Sequence, residues 1–287
     1  MRNEEGKPVR MIGASQDISK LKENEIQLKE LNEQLKKWTK ELATSNAELE
    51  QFAYVASHDL QEPLRMVTGF LTQLEKKYGA TLDEKGKQYI HFATDGASRM
   101  RQIMRDLLEY SRVGRAAQMV EKVDLDELVK EVLGLHRKQI KERKAVIKTD
   151  KLPVVIASKT PMRQVFLNLI SNSLKYHNGN ERTKIHISCK SSDMQWEFAV
   201  TDNGIGIDPK DFERIFIIFQ RLHSKEEYSG TGMGLTITKK IIETLGGKIW
   251  VTSEAGKGTT FYFTIPKNDR PYSKNKNQKR KVSNDKE

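Results

Sequence analysis

Cysteine is almost absent from this chain of 287 residues, which holds a single one at position 189. One cysteine excludes an intramolecular disulfide framework and a cysteine-rich zinc site, and it favours a reducing compartment. Long hydrophobic runs are also absent, because the densest, IFIIF at 215–219, is far shorter than the roughly 18 residues of a membrane-spanning helix. The first residues contain no secretory hydrophobic region. The sequence therefore predicts a cytoplasmic protein without a membrane segment.

Positive charge is in excess, but it is unevenly distributed. The chain has 50 lysines and arginines against 39 acids, while the segment 267–287 alone holds eight basic and three acidic residues. That segment lacks apolar periodicity, so we expect 268–287 to form a basic disordered tail. The rest of the chain carries too small an excess to make nucleic-acid binding the leading function. A contact of the tail with nucleic acid or an acidic membrane stays an alternative.

A heptad pattern of leucines marks the first third of the chain. It predicts a coiled coil over 20–50, and hence at least a dimer. Polar Asn24 and Ser45 fall in the same seam, where such residues can fix register or oligomeric state. The leucines of the seam are Leu21, Leu28, Leu35, Leu42 and Leu49.

The apolar phase changes after Ala56, which is a four-residue stutter in the heptad pattern. His58 lies off both seams and is expected to face outward, close to Pro63, which favours a helix kink. A turn at 78–84 precedes a second amphipathic helix. The two helices predict an antiparallel hairpin over 51–114, and a dimer of hairpins makes a four-helix bundle.

Beyond Gly114 the pattern alternates between helices and strands, which predicts an α/β sandwich over 121–267. The expected fold class is therefore α+β multidomain, a helical hairpin followed by this sandwich. Asp124 is expected to cap a helix that runs to about Arg143. Further helices are expected at 160–177, from Asp208 and at 233–245, and strands at 145–148, 153–156, 184–190, 196–202, 248–253 and 259–265.

Three polar motifs lie in the expected sandwich. In NLISNSLKYH, Asn168, Asn172 and Lys175 or Tyr176 share one helix face, where amide oxygens can bind a hard cation and the lysine can neutralise phosphate. Taken alone, this face is better explained by contact with solvent.

The second motif, DNGIGI, follows a strand, and Asp202 can accept a hydrogen bond from an exocyclic amine. Its Gly204 and Gly206 allow a ligand to approach the backbone closely. The third motif, GTGMGL at 230–235, opens a helix whose N-terminal donors suit a phosphate. Taken alone, the second motif is explained by an ordinary turn, and the third could be a flexible lid hinge.

The order of these motifs, with HDLQEP at 58–63 upstream, resembles a sensor histidine kinase over roughly 51–267. The form HDLQEPLR is similar to that of kinases found next to PAS and phytochrome sensors. The stretch VRMIGASQDISKLKE resembles the end of a PAS domain, so 1–19 is expected to be a sensor remnant and 20–50 a signalling helix. The resemblance implies a dimerisation and histidine phosphotransfer domain at 51–114 and a catalytic ATP-binding domain of GHKL (Bergerat) type at 121–267.

The resemblance also implies the role of each site residue. His58 is the phospho-acceptor, and Asp59 accepts a proton from its ring. Magnesium binds at Asn172, and the partners are a second copy of the chain, a response-regulator receiver domain and an upstream sensor domain; no nucleic acid is expected. The residues implied to bind ATP are Asn168, Asn172, Lys175, Tyr176, Asp202, Gly204, Gly206, Arg221, Gly230, Thr231, Gly232, Gly234 and Leu235.

Two positions bear on the reaction. Water-hydrolysing relatives of this fold have a glutamate general base where this chain has Asn168, and a carboxamide cannot act as a base. Many histidine kinases have Thr or Asn where this chain has Glu62, which puts phosphatase activity in doubt. Two rival functions stay open: a degenerate nucleotide-binding scaffold, and a nucleic-acid-binding coiled coil that uses the basic tail.

Overall fold

The computed structural model describes residues 4–6, 17, 19–116, 120–179, 181–223, 227–228 and 230–267. The chain divides into two compact units, 1–52 and 53–287. Most of the expected sensor remnant at 1–19 and all of the expected tail at 268–287 lie outside the described residues. Among the residues that are described, no helix has both the length and the hydropathy of a membrane span.

The first helix, α1, is 60 residues long and runs from Ser19 to Tyr78. It includes both the predicted coiled coil and the first predicted hairpin helix, and it continues through Pro63. The seam leucines whose side chains are described, between Leu21 and Leu42, are 60–74% exposed. A regular row of exposed leucines is a surface that a partner helix would cover.

The second helix, α2, spans Glu84–Ala116 and follows a tight turn. Asp83, which lies in the predicted turn at 78–84, accepts a hydrogen bond from the main-chain nitrogen of Gly86 at 2.7 Å. Aspartate is favoured at a helix start because its oxygen satisfies a free N–H group there. Ile90 and Ala97 of the predicted periodic face are buried.

The α/β part contains four helices and seven strands among the described residues. Five strands form one mixed sheet in the order β2-β4-β5-β7-β6, in which β2 and β4 are parallel and the other neighbours antiparallel. Strands β1 and β3 form a separate antiparallel pair. The helices are α3 Leu125–Leu135, α4 Arg137–Glu142, α5 Lys159–Lys175 and α6 Gly234–Thr244, and the strands are β1 Glu121–Asp124, β2 Val146–Thr149, β3 Val154–Ala157, β4 Lys184–Ser191, β5 Gln195–Asp202, β6 Ile249–Glu254 and β7 Gly258–Pro266.

The core lies between the helices and one face of the five-stranded sheet. Phe166 of α5 meets Phe198 of β5 and Phe263 of β7, with ring centroids 6.4 and 5.8 Å apart. All three rings are completely buried. Val113 of α2 belongs to the same cluster, so the helical hairpin contributes to this core.

The structure differs from the sequence-based prediction at three places, one of which is strand β1, Glu121–Asp124, where no strand was predicted. The predicted helix from Asp124 breaks at His136, so that it becomes α3 and α4, although Asp124 does cap α3. The predicted helix from Asp208 is wrong, because two short 3-10 turns, Pro209–Asp211 and Arg214–Phe216, take its place. The hydroxyl of Thr236 donates to the carbonyl of Phe216 at 3.0 Å, so a side chain binds the oxygen that a continuing helix would use.

Candidate functional site

A cavity of about 430 Å³ opens beside α5, α6 and the end of β5. The described residues that line it include every predicted binding residue except Gly204, which lies next to the wall and donates to Asp202. Neither His58 nor Asp59 is among them: Asp59 is exposed on α1, and the side chain of His58 is not described. The predicted residues in the lining are Asn168, Asn172, Lys175, Tyr176, Asp202, Gly206, Arg221, Gly230, Thr231, Gly232, Gly234 and Leu235.

Asp202, the last residue of β5, lines the cavity. Its Oδ1 accepts from the main-chain nitrogens of Gly204 at 2.9 Å and Thr259 at 3.2 Å, and its Oδ2 accepts from the Ser173 hydroxyl at 3.0 Å. Burial raises the pKa of Asp202 above its usual value, while these three donors oppose that rise. The carboxyl is therefore held in one orientation, with acceptor capacity left for a ligand amine.

The loop after Asp202 depends on glycine at 206. Gly206 has a φ of +72°, and a Cβ atom built on it would lie 2.1 Å from the carbonyl oxygen of Glu254. Any side chain would therefore meet both an unfavourable backbone conformation and a steric clash. Glycine lets this loop pass close beneath the turn between β6 and β7.

Asn168 and Asn172 stand one turn apart on the face of α5 that lines the cavity. The side-chain nitrogen of Asn168 donates to the carbonyl of Gly234 at 2.9 Å and to the hydroxyl of Thr238 at 3.2 Å. Asn168 thus joins α5 to the glycine-rich start of α6.

Two cationic side chains lie beside the cavity. The ammonium of Lys175 donates to the Tyr176 hydroxyl at 2.7 Å and lies 4.2 Å from the centre of that ring. Arg221 donates to the carbonyl of Tyr228. Burial, and then the charge of Arg221, lowers the pKa of Lys175 to about 8. A polyanion bound here would relieve the repulsion between the two cations.

An aromatic cluster that sequence reasoning missed covers Tyr176. The ring centroids of Tyr176 and Tyr228 are 4.9 Å apart, and His223 lies 5.9 Å from Tyr176 and 5.3 Å from Tyr228. His223, which shows no metal-ligand grouping in the sequence, is thus part of an aromatic wall. The two aromatic rings in the polar segment 220–229, those of His223 and Tyr228, are the signal that could have suggested it.

The other missed residues come from α2. Gln102, Asp106 and Glu109 line the cavity, and the Thr231 hydroxyl donates to a carboxylate oxygen of Asp106. These two bonded residues are separated by 125 positions in the chain. No local pattern could have shown that α2 contributes a wall.

The cavity also suits a magnesium ion that accompanies phosphates. No group of three or more His, Cys, Asp or Glu side chains that could hold a metal occurs in the described part of the chain. Magnesium, however, commonly keeps several waters and takes one or two protein oxygens plus phosphate oxygens. The amide oxygen of Asn172, in the cavity wall one turn from Lys175, fits that requirement.

The fold and the cavity together define an α/β nucleotide-binding domain of GHKL type that follows a helical hairpin. Two family profiles match the chain: the His Kinase A (phospho-acceptor) domain over 48–116, and the histidine kinase-, DNA gyrase B-, and HSP90-like ATPase over 157–269. The chain therefore belongs to the histidine kinases, and the expected fold class is confirmed.

Known proteins similar to the chain include a curated relative and two solved structures. Cyanobacterial phytochrome A of Nostoc sp. is 48% identical over 226 residues, which are 79% of this chain and 29% of that protein. The crystal structure of full-length ShkA in complex with AMPPNP has a TM-score of 0.59 at 25% identity, covering 77% of this chain and 47% of ShkA. Histidine kinase ThkA, in complex with the response regulator TrrA, has a TM-score of 0.50 at 30% identity, covering 76% of this chain and 61% of ThkA. The chain spans less than a third of the phytochrome.

Proposed function

We propose that this chain is an ATP-dependent protein-histidine autokinase. It phosphorylates its own His58 and passes the phosphoryl group to an aspartate of a response-regulator receiver domain. One observation carries the proposal: a single cavity unites residues of all three polar motifs, in a chain whose His58 lies within the matched phospho-acceptor domain. The AMPPNP complex of ShkA and the TrrA complex of ThkA support ATP and a response regulator as its ligand and partner.

ATP would lie across the cavity with adenine at the Asp202 end, where the carboxyl accepts from the exocyclic amine. Tyr176 would lie against the base. The phosphates would lie at the other end, beside the GTGMGL segment, Lys175 and Arg221. Magnesium, held by Asn172, would supply charge neutralisation between the phosphates.

The transfer needs a nucleophile and a proton acceptor. A neutral ring nitrogen of His58 attacks the γ-phosphorus, so that a P–N bond forms while the bond to the leaving oxygen of ADP breaks. Asp59 accepts the proton from the other ring nitrogen. In the second step the phosphoryl group moves from the imidazole to the receiver's aspartate, and an acyl phosphate forms. Positioning of the reactants and neutralisation of the phosphate charge supply most of the catalysis.

Water is a poor rival nucleophile at this site. Asn168 stands where hydrolysing relatives have a general base, and its amide nitrogen already donates to Gly234 and Thr238. An amide cannot accept a proton from water at neutral pH. The cavity is therefore suited to transfer to a protein group.

The acting molecule would be a homodimer with an upstream sensor. The exposed leucine row of α1 supports association through the segment 20–50 and a four-helix bundle over 51–114. The catalytic domain would be 121–267, and the use of ATP and a reduced cysteine is the reason to place the protein in the cytoplasm. The predicted PAS-like end would connect it to the sensor.

Incubation with γ-labelled ATP tests the proposal. The wild-type chain should acquire acid-labile, alkali-stable label, and His58→Ala should lose it. His91→Ala, which removes an exposed histidine from α2, serves as the matched control and should keep the label. Label that persists in His58→Ala would contradict the proposal, and nucleotide binding without any label would support the degenerate scaffold.

A further inference from the structure

The C-terminal half of α2 packs against α6 of the catalytic domain. Val113 is 5% exposed and belongs to the domain core, and the ammonium of Lys240 lies 4.0 Å from the centre of the Tyr110 ring. One turn earlier, Asp106 and Glu109 reach the cavity. We refer to the four α2 residues among these, Asp106, Glu109, Tyr110 and Val113, as the α2 docking face. It is apolar and aromatic where it meets α6, and acidic where it reaches the cavity.

Asp106 is held in place from two sides. Gln102, one turn before it on α2, donates to Oδ1 at 2.7 Å, and the Thr231 hydroxyl donates to Oδ2. Hydrogen bonds to an ionised carboxylate are stronger than those between neutral groups. The carboxylate is therefore directed at the glycine-rich segment by a small network that joins α2 to Thr231 in that segment.

This contact lies at the end of the cavity that we assign to phosphates. A Cβ atom built on Gly230, next to Thr231, would be 3.1 Å from the Lys175 ammonium, and one built on Gly234 would be 3.5 Å from the Asn168 side chain. Asp106 thus reaches the same short stretch of backbone as Lys175 and Asn168. A phosphate and the Asp106 carboxylate would compete for the Thr231 hydroxyl.

The negative charge of Asp106 and Glu109 disfavours binding of another anion in this part of the cavity. Burial, and then the neighbouring charge of Asp106, raises the pKa of Glu109. Both carboxyls are half-buried beside the cavity, so their fields are screened less than those of surface groups. A triphosphate placed there would add several negative charges.

We propose that the α2 docking face is an autoinhibitory surface, in which Asp106 and Glu109 exclude the triphosphate for as long as α2 is docked. This inference rests on the proposed function. Nucleotide binding and docking of α2 then oppose each other, and each weakens the other by the same factor, because coupling between two equilibria is reciprocal. Release of α2 raises nucleotide affinity and frees Thr231.

Titration calorimetry of the full chain with magnesium and a non-hydrolysable ATP analogue tests this exclusion. Asp106→Asn should bind the analogue about tenfold more tightly than the wild type, since it removes a charge and weakens the competing bond. Glu84→Gln is the matched control, because it removes the same charge from α2 at a side chain that is 89% exposed, and it should leave affinity unchanged. Unchanged or weaker binding by Asp106→Asn would overturn the proposal.

A disulfide provides a second measurement, which compares docked and released forms of the same chain at the same charge. In a Cys189→Ser background, Asp106→Cys combined with Thr231→Cys should form a bond on oxidation, and the oxidised chain should bind the analogue at least about tenfold more weakly than the same chain after reduction. Equal binding by both forms would overturn the inference.

The two proposals fail in distinguishable ways. A wild-type chain that binds no nucleotide, together with Asp106→Asn and the reduced double variant that also bind none, would contradict the proposed function. A wild-type chain that binds nucleotide and labels His58, but shows no effect of Asp106→Asn, would overturn only the docking-face inference.

Discussion

The side-chain amide of Asn168 donates to the main-chain carbonyl of Gly234 at 2.9 Å, and it thereby ties the middle of α5 to the first turn of α6. The same nitrogen donates to Thr238, which is completely buried. The amide oxygen accepts from Gln164 at 3.3 Å. Both the nitrogen and the oxygen of the amide therefore make hydrogen bonds. Asn168, which lies where the hydrolysing relatives have a general base, stabilises the packing of α5 against α6.

Replacement of Asn168 by Asp should destabilise the protein. The carboxylate cannot donate, so two acceptors on α6 would face a third acceptor, at a cost of about 2 kcal/mol in the free energy of unfolding. Urea denaturation measures this loss. Asn172→Ala, on the same face of α5, is the control and should weaken magnesium-dependent nucleotide binding with little change in unfolding.

A stable Asn168→Asp protein would show that the amide bonds to α6 contribute little. The same variant should not gain ATP hydrolysis in a His58→Ala background, because an aspartate is one methylene shorter than the glutamate that serves as general base in the water-hydrolysing relatives. Release of inorganic phosphate checks this second expectation.

The pKa of Lys175 predicts how nucleotide binding responds to pH. In the free protein this pKa is lowered from 10.5 to about 8, so the ammonium loses its charge as the pH rises through about 8. Bound phosphates favour the charged form. Binding should therefore take up a proton and weaken about tenfold between roughly pH 7 and pH 9. Calorimetry in buffers of different ionisation enthalpy measures both effects.

Lys175→Arg is the matched control for that titration. An arginine keeps its charge throughout this range, so affinity should stay nearly constant with pH. Burial keeps the Tyr176 hydroxyl neutral, since it raises that pKa. A wild-type profile as flat as that of the arginine variant would show that Lys175 is not the titrating group.

For folding the sign is opposite: stability should rise between about pH 8 and pH 10.5, because the unfolded chain binds the additional proton.

Two glycines of the site should respond differently to alanine. Gly206→Ala places a Cβ atom 2.1 Å from a main-chain oxygen at a φ of +72°, so it should cost about 2 kcal/mol or more of unfolding free energy. Gly234→Ala, at the start of α6, would place its Cβ atom 3.5 Å from the Asn168 side chain, which is an ordinary contact distance. It should change the unfolding free energy by less than about 1 kcal/mol. Thermal and urea unfolding compare the pair. Equal losses of unfolding free energy in the two variants would show that the close approach at Gly206 does not determine the cost of a side chain there.

Glu62 should suppress dephosphorylation of the receiver. It lies one turn after His58 on α1, and it is exposed and 3.4 Å from Arg65. An ionised carboxylate repels an acyl phosphate and cannot donate to it. With ADP present, Glu62→Thr should speed loss of label from a phosphorylated receiver at least about tenfold, because a hydroxyl can orient water.

The control for this effect is Arg65→Gln. It breaks the same surface ion pair, which contributes at most about 1 kcal/mol, but leaves Glu62 in place. It should dephosphorylate the receiver as slowly as the wild type. Rapid loss of label with the wild-type chain would contradict the expectation.

Local features were predicted well because their causes are local. Asp124 caps α3 through its own side chain, and the glycines of GTGMGL open a helix at Gly234. The break at His136 and the short turns after Asp208 were not predicted, since periodicity cannot show where a helix stops. For the second of these, the deciding contact comes from Thr236, which lies 20 residues from the Phe216 carbonyl.

The cavity was predicted only in part for the same physical reason. Three motifs predict binding residues, because each places glycines, amide side chains or an acidic side chain at a fixed spacing. Asp106 has no such pattern. It reaches the cavity because α2 folds against α6.

The short connection between the hairpin and the catalytic domain limits any motion that follows release of α2. Helix α2 ends at Ala116 and β1 begins at Glu121. Even fully extended, those five peptide steps reach no farther than about 18 Å. The start of the catalytic domain would therefore stay within that distance of Ala116 even if α2 were released. The connection therefore limits how far the nucleotide cavity could move from the end of α2. It also limits which histidine the cavity could reach.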